Sequence, residues 1–342
     1  MIGIGVVGYG YWGPNLVRNF AETPEARVVA VSDLRPERLA LVRQRHPLVE
    51  ATADAGALLG DSRVDAVVVA TPVSTHFGLA MQALRAGKHV LVEKPLASTS
   101  DEALRLIDEA DRRGLVLMVD HTFVYTGAVR KMQELVAGNV LGRIHYYDSV
   151  RVNLGLFQHD VNVIWDLAVH DVAIVDHVLP AKPVAVSATG ISHVAGTRED
   201  IAYLTLLFDG PLIAHIHASW LAPLKIRRTL LGGSRRMIVY DDLEPSEKVK
   251  VYDKGVLLDP DGDPAYQLRV AYRSGDMWAP RLDTSEALRT ETSHFLQAIV
   301  DHAPVLTDGH AGLRVVRVLE AATESLAERG QVVELDTARL AA

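Results

Sequence analysis

The sequence predicts an α/β fold in two parts: a doubly wound parallel sheet over residues 1–120, then an α+β domain over 121–342 built on a mostly antiparallel sheet. Three observations predict it. An apolar run at 2–7 leads straight into GYGYWG at 8–13. Short β-branched runs then alternate with amphipathic helical stretches as far as residue 120, the pattern of a parallel sheet with helices on both faces. After 121 the rhythm changes to a few helices and a succession of strands separated by turn residues.

Element by element, the chain opens with a strand at 2–7. Gly8 allows the tight turn that follows, Gly10 lets backbone amides approach a pyrophosphate with no side chain in the way, and Gly13 lets helix and strand pack closely. Tyr11 and Trp12 complete the turn, and Pro14 suits the first turn of a helix. A second apolar strand at 28–33 delivers Asp33 at its carboxyl end, about twenty residues past the last glycine. Strand, GxGxxG, helix and acid together read as a dinucleotide-binding βαβ unit. Asp33 is placed to take the adenosine ribose hydroxyls. Its charge repels a 2′-phosphate and argues for NAD. Arg35 argues the other way, because an arginine just past this strand accepts that phosphate, so NADP stays open. Further strands at 66–71, 90–93 and 115–119, with another near 49–51, bring Thr71–Pro72 and Glu93–Lys94–Pro95 to strand ends. Ligands bind beyond the carboxyl ends of such strands, so four of these ends are expected to converge on one crevice.

In the second part, helices are expected at 128–137 and 163–179 and a strand at 144–152. Further strands follow at 184–193, 201–208, 212–220, 226–231, 237–240 and 249–252. Two closing helices, about 285–300 and 311–328, are expected to complete this domain. The run DPDGDP at 259–264 reads as a loop, and there is no internal repeat.

At 342 residues the chain suits two domains, each large enough to bury a core. With 49% hydrophobic and 23% charged residues it has the composition of a soluble globular protein. A formal net charge of −8 gives no general attraction for nucleic acid or an anionic membrane. The absence of cysteine excludes disulfides, thiolate metal sites and a cysteine nucleophile, and fits a reducing cytoplasm. The first strand begins at residue 2, leaving no room for a leader, and no apolar run approaches the roughly 20 residues that span a bilayer. A cytoplasmic protein with neither membrane nor nucleic-acid partner is expected.

Two places carry candidate chemistry. Lys94 stands just past an apolar strand and is held by Pro95, which restricts it to extended conformations. Beside a dinucleotide such a lysine can donate to a substrate hydroxyl and stabilise alkoxide character as hydride leaves. The second place is WDLAVHD at 165–171, in an apolar segment of helical length. Asp166 and His170, at i and i+4, share a helix face there. On the residues alone they read either as a structural pair or as a general base with its orienting acid. A metal is not expected, since no third ligand is evident.

GYGYWG near the amino terminus, TPVSTH at 71–76, EKP at 93–95 and WDLAVHD at 165–171, in this order and spacing, resemble the Gfo/Idh/MocA oxidoreductases over nearly the whole chain. The resemblance implies a Rossmann domain followed by an open-faced sheet domain. It implies NAD(P)-dependent oxidation or reduction of a sugar, polyol or nucleotide-sugar hydroxyl. It makes Lys94, Asp166 and His170 the active-site residues, with His76 and Thr71–Pro72 similar to the family's loop over the cofactor. Where many members carry glycines before the aspartate, this chain reads Val163, Ile164 and Trp165. That, with HTFVY at 121–125, RVNLG at 151–155 and KIRR at 225–228, is similar to the branch of nucleotide-sugar and aminosugar dehydrogenases. Arg151 and Asn153, at a strand end before the helix of Asp166 and His170, are expected to hold sugar or phosphate oxygens. Lys225, Arg227 and Arg228 read either as a diphosphate contact or as a strand's solvated face. A homodimer or homotetramer packed through the second-domain sheet is implied, and Leu204, Leu206 and Phe208 are the apolar alternation expected to need cover. Two further functions are compatible with this scaffold: a glycoside hydrolase using tightly held NAD, and a non-enzymatic dinucleotide or sugar sensor.

Overall fold

A computed structural model describes residues 1–155, 157–158, 160–194, 196, 198–258 and 270–335. The 259–264 run lies outside the described residues. Two compact units emerge, Met1–Thr126 with Ser285–Glu320, and Gly127–Thr284 with Ala321–Ala342. The described helices are α1 (Gly13–Ala21), α2 (Pro36–Arg45), α3 (Ala55–Gly60), α4 (His76–Arg85), α5 (Ser100–Arg113), α6 (Gly127–Ala137), α7 (Val169–Val178), α8 (Ala287–Asp301) and α9 (Gly309–Ala327).

The first unit holds six strands: β1 (Ile2–Val7), β2 (Ala26–Ser32), β3 (Glu50–Thr52), β4 (Ala66–Val69), β5 (His89–Glu93) and β6 (Leu117–Asp120). They pair in parallel in the order β3-β2-β1-β4-β5-β6. Helices on both faces bury both sides of each central strand, so these strands read as continuous apolar runs rather than alternating ones. Ala66, Val67, Val68 and Val69 are all buried, as are Val90, Leu91 and Val92. Each such valine or leucine contributes about 1.5–3 kcal/mol of transfer free energy.

The closing helices differ from expectation. Up to Glu320 they cluster with this first unit, not with the second domain's sheet. Packing explains it: Phe295 of α8 meets Phe20 of α1 edge to face, with centroids 6.4 Å apart. Thr307 takes the Val119 N–H on its carbonyl oxygen at 2.8 Å and donates its hydroxyl to the Val119 carbonyl at 2.7 Å, extending the edge of β6.

The second unit carries β7 (Ile144–Leu154), β8 (Pro183–Ile191), β9 (Ile201–Phe208), β10 (Ile213–Ser219), β11 (Leu221–Gly233), β12 (Met237–Asp241), β13 (Val249–Leu258), β14 (Val270–Trp278) and β15 (Val333–Glu334). Their order is β14-β13-β12-β11-β7-β10-β9-β8-β15. Every described pairing is antiparallel except β10 with β7. Alternation splits the sheet into two faces. Leu204, Leu206 and Phe208 prove to be buried, in line with Ala214, Ile216 and Ala218. They belong to the covered face and not to the one needing cover. The register aligns Tyr203 with His217 and Leu207 with Ile213 on the opposite face, where Tyr203 and Ile213 remain exposed.

On the covered face the guanidinium of Arg151 on β7 meets Asp171 on α7, with Nε 2.5 Å from Oδ2, and both side chains are less than 5% exposed. Removing one member of a buried pair leaves an uncompensated charge, at a cost of about 3–5 kcal/mol. Arg151→Met is therefore expected to lower the denaturation midpoint of this unit sharply. Arg151→Met with Asp171→Leu should recover most of that loss, as followed by circular dichroism in urea.

Candidate active site

Parallel pairing places every β-to-α connection of the first sheet at one edge, and the expected residues gather there. Gly8 follows β1 with φ +101, and a Cβ on it would stand 2.2 Å from the Ala70 carbonyl oxygen, so only glycine makes this turn. A Cβ on Gly13 would stand 2.3 Å from the Gly8 carbonyl oxygen. Above Gly10, by contrast, only the Arg35 guanidinium comes within 4 Å, at 3.6 Å. The first turn of α1 contains no acidic residue and no capping side chain. Bare glycine backbone before an uncapped helix N-terminus is a cradle for a pyrophosphate. The residues present therefore fit a dinucleotide.

Asp33, past the end of β2, is buried. Its carboxylate accepts from the Tyr9 N–H at 2.8 Å and from the backbone and side chain of Arg35. Burial acts to raise its pKa, but the bonds from Arg35 and Tyr9 outweigh it and hold the carboxyl below its ordinary range. The side chain expected to take ribose hydroxyls is thus engaged by Arg35. Tyr11 is exposed, whereas Trp12 donates its indole N–H to Asp120 at the end of β6 (2.9 Å).

Thr71 and Pro72 follow β4. His76, buried at the start of α4, lies with Nδ1 2.8 Å from the Pro95 carbonyl oxygen and Nε2 2.8 Å from that of Thr71. It ties the loop after β4 to the loop after β5. Glu93 and Lys94 close β5 half-buried, and the Lys94–Pro95 peptide is cis.

In the second unit, the expected helix at 163–179 begins as a π-helical turn, Ile164–Ala168, and continues as α7. Such wide turns recur at functional sites. Asp166 lies in that turn and accepts the indole N–H of the buried Trp220 at 2.9 Å. His170 is half-buried on the first turn of α7. Asn153 is half-buried near the end of β7, but Arg151 is committed to Asp171 beneath the sheet, where a sugar oxygen cannot reach it. In-out alternation along β7 is the reason: Arg151 shares the covered face with Tyr147 and Ser149. Of the basic run, Arg227 pairs with Asp242 at 3.2 Å and Arg228 with Asp241 at 3.0 Å, an arrangement that neutralises two of the three charges offered to a diphosphate.

Sequence reasoning missed Trp220, Asp120 and Glu291. The polar residue ending an otherwise buried strand was a usable signal for Asp120. Nothing local marks Glu291, an acid on an ordinary amphipathic helix. It is fully buried, and burial above all, with the neighbouring Asp120 charge, holds its carboxyl well above the ordinary range. A folded-state pKa raised above the unfolded value of about 4.3 means stability is fully present below that pH and declines as pH rises toward the folded value. Glu291→Gln removes this dependence. The variant should gain on the wild type in urea midpoint as pH goes from about 5 to about 8, and a constant difference across that range would contradict the assignment.

Comparison with known proteins agrees with this fold. Residues 2–121 match the model of the oxidoreductase family with an NAD-binding Rossmann fold, and residues 129–239 match the GFO/IDH/MocA C-terminal domain. The UDP-N-acetylglucosamine 3-dehydrogenase of Acidithiobacillus ferrooxidans is 32% identical over 91% of this chain and 93% of its own length. A crystal form of that enzyme superposes with a TM-score of 0.80, at 29% identity, covering 96% of this chain and 99% of that one. GenD2 from gentamicin A biosynthesis, solved in complex with NAD, shares the fold with a TM-score of 0.82, at 24% identity, covering 98% of this chain and 96% of that one. With a parallel sheet in the order β3-β2-β1-β4-β5-β6, a glycine cradle fit for NAD and a mostly antiparallel second sheet, the chain belongs to the Gfo/Idh/MocA family of NAD-binding oxidoreductases.

Proposed function

We propose that the protein is a dehydrogenase or reductase of a nucleotide sugar, with Lys94, Asp166 and His170 serving the reacting carbon. The observation that carries this reading is the Asp166 carboxylate fixed by Trp220 at a π-helical turn one helical step before His170. The 32% identity to an enzyme named for UDP-N-acetylglucosamine supports the substrate class. The hydrolase and sensor readings gain no support from relatives that are named as dehydrogenases.

NAD, held by the loop of Gly8, Gly10, Trp12 and Gly13, supplies the hydride acceptor. His170 takes the proton from the substrate hydroxyl, a role suited to a side chain that ordinarily titrates near neutrality. Lys94 donates to the same oxygen and stabilises the negative charge that develops on it. Asp166 orients the sugar or the imidazole, and Trp220 keeps its carboxylate in one position. Ketone reduction uses these groups in reverse. The cysteine-free composition suits the cytoplasm, the location assigned in this reading. Among the described residues no helix is long and apolar enough to cross a membrane.

Lys94→Ala and His170→Ala are each expected to reduce kcat by about 10²–10⁴-fold, with NAD affinity kept within a few-fold. The assay follows nicotinamide absorbance over a panel of nucleotide sugars, free sugars and inositols. Near wild-type turnover by both variants on the accepted substrate would remove these residues from the mechanism.

The reading includes a homo-oligomer formed through the uncovered face of the second sheet. Register puts Tyr203, Ile213, Tyr146, Leu230, Val239 and Met237 on that face. These apolar side chains, set among His215, His217 and Asp148 on the same face, mark the association site in this reading. Light scattering at micromolar concentration should give a multiple of 37.3 kDa, and a monomer would rule it out.

A further inference from the structure

We propose that Asn162 and Glu199 are positioning residues for Asp166: with Asp200 and Trp220 they close a ring of hydrogen bonds that fixes the backbone and the carboxylate of Asp166 at once. This rests on the reading that Asp166 serves the reacting carbon.

Asn162 is 5% exposed and stands just before the π-helical turn Ile164–Ala168. A helix start leaves its first N–H groups without intrahelical partners, and here three successive ones converge on this residue. Its Oδ1 accepts the Ile164 N–H at 3.1 Å and the Trp165 N–H at 3.3 Å, and its carbonyl oxygen accepts the Asp166 N–H at 3.1 Å. Its Nδ2 donates to Glu199 Oε2 at 3.0 Å, and the Glu199 carbonyl oxygen accepts the Val163 N–H at 3.0 Å. Glu199 thus grips the entry to the turn by side chain and by backbone. The next residue carries the ring onward. The Asp200 carbonyl oxygen accepts the Trp220 N–H at 2.9 Å, and the Trp220 indole N–H closes on Asp166 Oδ2 at 2.9 Å. Asp200 is itself anchored: it is fully buried, and its carboxylate accepts the N–H groups of His193 at 2.7 Å and Val194 at 3.1 Å.

Ordinary capping explains only part of this arrangement. A capping side chain needs one acceptor, whereas Asn162 also donates, and that donor reaches the segment that holds Trp220. Glu199 and Asp200 lead into β9 and Trp220 follows β10, beyond the point where Ser219 pairs with Ile201 at the end of the ladder between those strands. Asp166 is therefore tied to the sheet twice, through its N–H and through its carboxylate. A π-helical turn is rare, and α7 continues from this one where the Val169 N–H reaches back to the Ile164 carbonyl oxygen. A turn released at its start would shift Asp166 and, one step later, His170. A displacement of about 1 Å costs on the order of 10²-fold in rate.

The test exchanges the two side chains. Asn162→Asp keeps an acceptor for the Ile164 and Trp165 N–H groups but sets a carboxylate against Glu199. Asn162→Asp combined with Glu199→Gln restores a donor and an acceptor in the reverse sense. Two readouts are taken on the intact protein: hydrogen exchange of the Trp220 indole N–H by NMR, its signal identified by its loss in Trp220→Phe, and turnover of the substrate accepted in the panel above. Asn162→Ala and Asn162→Asp should each speed the Trp220 exchange about tenfold. They should lower kcat about 10–100-fold, with NAD affinity kept within a few-fold. The swapped pair should recover most of both losses. A role confined to overall stability would speed the backbone amides of β7 and β10 in step with Trp220, and that result overturns the proposal. So does an unchanged Trp220 exchange, normal turnover by Asn162→Ala, or no recovery in the swapped pair. If Asn162→Ala does not fold, Asn162→Asp against the swapped pair decides alone, and if the panel yields no substrate, the exchange decides. Lys94 and His170 variants with normal turnover, beside a Trp220 exchange that still responds to Asn162, would remove the reading of the active site and leave the ring standing.

Discussion

Parallel pairing of six strands is the constraint on which the cofactor half of this protein depends. Because β1, β2, β4, β5 and β6 all run the same way, Gly8, Asp33, Thr71, Lys94 and Asp120 emerge at one edge, although they are spread over more than a hundred residues of sequence. Antiparallel pairing anywhere among them would send alternate residues to the opposite edge. The burial of both faces that parallel sheets require is also what makes Val67, Val68, Leu91 and Val92 fully buried and the edge rigid. Chemistry placed on such an edge is held by the core beneath it.

Within that edge the polar groups mostly hold each other. His76 joins the loops after β4 and β5, Trp12 ties the glycine turn to Asp120, and Arg35 grips Asp33. The His76 and Trp12 ties cross from one strand end to another, so those loops are positioned by neighbours as well as by their own strands. Ties of this kind fix side chains in place before any ligand arrives. In the second unit Trp220 holds Asp166 in the same manner.

Sequence made the first unit legible because its signals are local. A strand running into GYGYWG, a proline at the start of a helix and an acid after the next strand each concern neighbouring residues, and the corresponding elements stand where they were expected. What stayed hidden depends on contacts distant in sequence. Arg151 looked like a site residue because it precedes the helix of Asp166. Whether an arginine on a strand faces ligand or core is decided by register and by a partner twenty residues away, Asp171. The face of Leu204, Leu206 and Phe208 was misplaced for the same reason: alternation tells two faces apart but not which one a helix covers. Trp220 and Glu291 matter only through Asp166 and Asp120, far away in the chain.

The first unit is discontinuous, and that bears on how the chain is made. Its sheet and α1 are synthesised long before α8 and Thr307, yet Phe20 reaches its aromatic neighbour, and β6 its edge partner, only when those arrive. On the ribosome the amino-terminal half therefore waits with an apolar patch on α1 and an open strand edge. Strands β7 to β14 of the second unit's sheet are translated in that interval. A fragment ending at residue 126 would carry this unfinished surface permanently, and the nascent chain is most in need of a chaperone between those two points.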